Sequence, residues 1–198
     1  MEKDIFKEFK ERGRGMEEAY FRQQDAKLIE RLHQEAKLEE IAIALAEKLQ
    51  VDNPDLLRRV RELGVTVDAA PAFLLAPLVQ VAWAEGTVTE PERDTVLRLA
   101  RARGVEVSSP AYAQLCEWLR ERPVDALFDT AVEVIKYGFA VLPPEEQEER
   151  IKRVVQACHE VATASGGGLA KVLGLGSGIS SAEASILDTI TSTLRSHS

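Results

Sequence analysis

Residues 69–92 read AAPAFLLAPLVQVAWAEGTVTEPE, and this stretch decides the fold. From residue 69 to residue 84 nearly every side chain is apolar, whichever face of a helix it would occupy. A helix with no polar face has to be enclosed by others, so the stretch predicts the buried central helix of an all-α bundle. Gln80 is the conspicuous polar exception. The run is too short and too interrupted, by Pro71, Pro77 and Gln80, for a bilayer span, which takes about 20 mostly apolar residues. Thr66 or Asp68 is placed to cap the start of this helix. Pro77 removes a backbone hydrogen bond inside it, so a kink is expected there, and a kink can shape a cleft.

Outward from this centre the chain continues to read as helix. Asn53-Pro54 starts one, with Asn as cap and Pro in the first turn, and Gly64 ends it. Further helices are expected over 90–103, 110–122, 124–141, 145–163 and 181–194, each bounded by Gly, Pro or Ser, and nothing reads as strand. Between the last two lies SGGGLAKVLGLGSG, residues 165–178. A phosphate-binding loop needs Lys followed by Ser or Thr, and here Lys171 is followed by Val172, so nucleotide binding is not expected.

The first fifty residues differ in kind. Opposite charges alternate at helical spacing, as in Glu8 with Arg12 and Glu18 with Arg22, which supports an exposed helix. Gly13 and Gly15 predict a break or a frayed turn. Beyond them Tyr20, Phe21, Leu28 and Leu32 form a thin apolar stripe, suited to a partner rather than a core. A second helix over 38–49, with Leu38, Ile41, Ala42, Leu45 and Leu49 on one face, is expected to dock. The organisation is thus a charged arm and docking helix over 1–52 and a helical domain over 53–198.

With 198 residues the chain can bury a core in one domain, and its net charge of −8 argues against nonspecific binding to nucleic acid. Only Cys116 and Cys158 are present, and MEKDIFKEFK at the N-terminus has no apolar leader, so a cytoplasmic location is expected. The histidines are scattered without zinc spacing, and no nucleophile stands with a base, so catalysis is not expected.

Candidate sites cluster at the acidic turn. Thr89 with Glu92 and Ser180 with Glu183 each have the spacing of a capping box, in which a hydroxyl covers a first-turn N–H and the glutamate reaches back to the cap. Glu85, Glu90, Glu92 and Asp94 are the candidate cation ligands. If Gly86 is the glycine of an EF-hand loop, Val88 and Glu92 fit, but Val81 and Trp83 fall where oxygen ligands are needed. Any cofactor would therefore be a weakly bound divalent cation or none. A charged first turn favoured by the helix dipole accounts for the same residues.

The segment VAWAEGTVTEPERDTVLRLARARGV, residues 81–105, resembles the signature of TerB-like domains, in which an apolar helix ends in Ala-x-Ala-Asp-Gly before a β-branched residue, a hydroxyl, acidic residues and another helix. GLGSGISSAEASILDTI, residues 174–190, resembles the closing segment of those domains. The likeness covers 69–194 and implies two pseudo-symmetric helical halves, a role in tellurite resistance or stress response, and an acidic surface linked with metal ions. Glu85 stands where that pattern has Asp, and Ala164-Ser165-Gly166 where a second Ala-Asp-Gly is expected. In the arm, Phe9-Lys10-Glu11-Arg12, Met16-Glu17, Tyr20 and the ALAEKL of 44–49 resemble the small bacterial inhibitor of the F-type ATP synthase. That likeness implies a protein partner, with Phe9, Arg12, Tyr20 and Phe21 as contact residues, and leaves open self-association through the arm. The expected function is a non-catalytic interaction protein, with a divalent-cation-binding stress protein as the alternative.

Overall fold

The computed structural model describes residues 2–165 and 178–196, with side chains over 23–164 and 178–196. Every regular element among them is a helix: α1 (Glu2–Leu49), α2 (Pro54–Glu62), α3 (Ala70–Phe73), α4 (Ala76–Ala82), α5 (Glu90–Ala102), α6 (Pro110–Arg120), α7 (Asp125–Ala140), α8 (Pro144–Ser165) and α9 (Ser181–Arg195). The expected all-α class is the class observed. The chain divides into two compact units, residues 1–41 and 42–198.

The first unit lies within α1. Residues 23–40 are all exposed, with Arg31 paired to Glu35 at 2.9 Å and Gln34 donating to Glu30 at 3.0 Å, one helical turn apart in each case. The break or frayed turn expected at Gly13 and Gly15 is absent, and so is the boundary expected before residue 38: α1 runs uninterrupted to Leu49. Carrying a glycine through a helix costs about 1 kcal/mol. Nucleating a new helix, with a constant near 10⁻³, costs roughly 4 kcal/mol, so propagation wins. Phe9, Arg12, Tyr20 and Phe21 lie on this helix, but their side chains are outside the described residues.

The second unit begins with the end of α1, where Leu45 and Leu49 are buried, followed by buried Val51. Gln50 takes a left-handed conformation, φ 54°, to end the helix. Asn53 Oδ1 then accepts from the Leu56 N–H at 3.1 Å and caps α2, and Gly64, at φ 75°, lets the chain turn out of it. Both features follow the sequence.

At the centre, α4 packs against α5, α6, α7, α8 and α9, and Leu78, Val79 and Val81 are buried. The expected single helix over 69–84 is in fact two short ones, parted at Leu74 and Leu75. Pro77 has no N–H to offer the Phe73 carbonyl and its ring would clash there, so α3 stops at Phe73 and the helix restarts with Pro77 in its first turn. Thr66 Oγ1 accepts from the Ala69 N–H at 3.2 Å, just ahead of α3.

The outer helices begin and end within two residues of expectation. Trp83 Nε1 donates to the Trp118 carbonyl at 2.7 Å, tying the end of α4 to α6. Arg59 pairs with Glu133 at 2.5 Å between α2 and α7, and Arg98 with Glu160 at 2.6 Å between α5 and α8. These pairs are half-exposed, so packing rather than charge carries the stability. Cys158 is fully buried, and burial pushes its thiol up to about 12, which suits an inert core residue. Among the described residues no helix is long and apolar enough to cross a membrane.

Candidate functional site

Two helix starts define the site. At the first, Glu92 Oε2 accepts from the Thr89 backbone N–H and from the Thr89 hydroxyl, both at 2.7 Å. At the second, Glu183 Oε2 accepts from the Ser180 N–H at 2.7 Å, and the Ser180 hydroxyl accepts in return from the Glu183 N–H at 3.2 Å. Both capping boxes read from the sequence are therefore formed. What spacing does not reveal is that both carboxylates are buried: Glu92 is 2% exposed and Glu183 is 1% exposed.

The two differ in how their oxygens are used. Glu183 Oε1 is buried and has no hydrogen-bond partner among the described residues. A carboxylate oxygen in that position favours the neutral acid, and the Glu183 pKa is raised, first by burial, then by the negative charges of Glu85 and Glu92, against the lowering effect of its bonds to Ser180. Glu85, in the turn after α4, and Glu92, at the start of α5, thus act electrostatically on the start of α9.

Glu85 and Glu92 are thus the two carboxylates whose charge bears on Glu183. Glu85 is exposed, so the site reaches solvent on that side. Glu90 and Asp94 are exposed on the first turns of α5. Sequence reading placed Glu183 only as a cap. The shared spacing of hydroxyl and glutamate marks the two helix starts as alike, but carries no sign of the electrostatic link between them.

For a divalent cation these residues supply part of what is needed. Glu183 offers one buried oxygen without a partner among the described residues, whereas Glu92 Oε2 is already engaged twice. Among the described residues no three Asp, Glu, His or Cys side chains converge in an arrangement that would hold a metal.

A second group of exposed residues lies on α1. Leu28, Ile29 and Leu32 are 56%, 53% and 54% exposed, and their spacing of three and four puts Leu28 and Ile29 one turn from Leu32. Large apolar side chains side by side on an otherwise charged helix form a patch rather than scattered surface residues.

None of the family models, curated proteins or solved structures compared with the chain matches it.

Proposed function

We propose that the chain is a non-catalytic interaction protein of TerB-like kind, acting in the cytoplasm in a stress or tellurite response, and that it meets its protein partner through the arm. One observation carries the reading: Leu28, Ile29 and Leu32 stand together in the wholly exposed run 23–40. An amphipathic helix that offers apolar anchors at such spacing is the usual form in which a helix enters a partner's groove. The resemblance of 81–105 and 174–190 to TerB-like segments supplies the cellular setting. The test is capture from an extract of the source cells with the full chain and with a Leu28→Ser, Ile29→Ser, Leu32→Ser variant. A partner held by the first and lost by the second, at unchanged melting temperature, supports the reading. Equal capture by both refutes the arm as the contact, and sedimentation of the two proteins distinguishes self-association from a different partner.

A second reading is favoured by the free oxygen of Glu183. A divalent cation held near Glu85, Glu92 and Glu183 would relieve their mutual repulsion, with water completing the six to eight oxygens that calcium prefers. With so few protein oxygens free, such a site belongs near a millimolar dissociation constant, so about 1 mM calcium or magnesium raises the melting temperature only slightly. Micromolar calorimetric binding that is lost in Glu85→Gln and Glu183→Gln would instead make the cation the purpose of the turn.

A further inference from the structure

Leu74 and Leu75, at the break between α3 and α4, line an open recess of about 310 Å³ within the second unit, together with Leu49, Ile135, Phe139 and Val154. A smaller space of about 30 Å³ continues from the same place, sharing Leu74, Leu75 and Val154 and reaching Pro77, Leu78 and Ala157 beside the central helix. The lining is aliphatic and aromatic except at its edge. There stand Gln50 and two arginines, Arg103 and Arg150.

The arginines are differently employed. Arg150 pairs with Glu146 at 3.0 Å, one turn away on α8. Arg103 donates to the Leu99 carbonyl at 3.1 Å and makes no ion pair among the described residues. Its charge is felt at the buried Cys158 thiol, whose pKa it lowers against the dominant effect of burial. In a chain of net charge −8, an arginine that makes no ion pair among the described residues, at the mouth of an apolar recess, is a local complement to an anion.

We propose that this recess binds a small single-chain carboxylate, its aliphatic tail between Leu75, Phe139 and Val154 and its carboxylate on Arg103. The polarity of the lining selects the class: apolar walls bury a tail, and a planar guanidinium matches a carboxylate through paired N–H donors. Size selects the length. At roughly 30 Å³ for each water-sized atom the main space holds about ten such atoms, the size of octanoate. Arg150 stands at the same edge as a second cation, but its bond to Glu146 leaves Arg103 as the principal contact.

Calorimetric titration of the full chain with hexanoate, octanoate and decanoate, below their micelle-forming concentrations, tests the proposal, with octan-1-ol as the uncharged control. Burial of each methylene at about 0.8 kcal/mol predicts about 15-fold tighter binding from hexanoate to octanoate. The gain flattens at decanoate, where the space is filled. Octan-1-ol binds about tenfold more weakly than octanoate, because a charge-assisted contact outweighs a neutral one. Arg103→Gln, which also gives up the bond to the Leu99 carbonyl, brings octanoate down to the level of octan-1-ol, and its own melt establishes that it is folded. Val154→Phe, which fills the space, weakens every chain length, and its own melt establishes that it is folded. No binding by any chain length, equal binding of alcohol and acid, or an Arg103→Gln variant that binds octanoate as before would each overturn the proposal.

Discussion

Two apolar stretches of this molecule meet opposite fates. In α4 the apolar residues surround the helix, and five neighbouring helices enclose it. In α1, over 23–40, the apolar residues make a narrow stripe among charges, and every residue there is exposed. Apolar content alone does not separate the two, since Leu28, Ile29 and Leu32 are as hydrophobic as Leu78, Val79 and Val81. Angular distribution does: a stripe can be buried by one added surface, whereas a helix apolar all round needs a complete shell. The core supplies that shell to α4 within the chain, whereas the stripe of the arm stays exposed.

The largest expected effect sets the two regions side by side. Leu78→Ala empties a buried leucine site and should cost about 2–5 kcal/mol in denaturant unfolding. Leu32→Ala, at a site 54% exposed, should stay within about 0.5 kcal/mol of the parent chain. Similar losses at the two positions would break the comparison. In particular, a loss below about 0.5 kcal/mol for Leu78→Ala would remove α4 from the centre.

A smaller effect sharpens the core side, where burial acts on charge. Because the folded-state pKa of Glu183 is raised, its contribution to stability is complete below the ordinary carboxyl value of 4.5 and is lost as pH rises through the raised value. Acidification from neutral pH toward that range should therefore stabilise the chain through this residue, against the common trend of salt-bridged carboxylates. In Glu183→Gln that component of the pH dependence should disappear, as read from melting temperatures at a series of pH values. An unchanged pH profile would mean that Glu183 ionises as freely in the folded chain as in the unfolded one.

Much of this arrangement was legible in the sequence because its signals are local. Asn53-Pro54, Gly64, Thr89 with Glu92, and Ser180 with Glu183 act over one helical turn, and each does in the structure what its spacing implies. Pro77 was legible as a disturbance, and its consequence is larger than a kink because the lost bond to Phe73 falls where α3 is only one turn long. Gly13 and Gly15 misled for the converse reason: their local cost is smaller than that of starting a second helix. Burial of both capping glutamates and the free oxygen of Glu183 were not legible, because they depend on which helices bring residues 85, 92 and 183 near one another. The recess beside Arg103 depends on the end of α1, the break before α4, α7 and α8 together, and no single stretch carries it.

Amide hydrogen exchange along α1 tests the central claim most directly, since one helix passes from the exposed stripe into the core. In the isolated chain, amides over 23–40 should exchange quickly, as expected of a helix with little packing, and protection should rise at Leu45 and Leu49, where the side chains are buried. When the partner captured through Leu28, Ile29 and Leu32 is added, the arm should gain protection while α4 stays as it was. Protection over 23–40 equal to that of α4 in the isolated chain would mean that the arm is already part of a core, and would contradict the account.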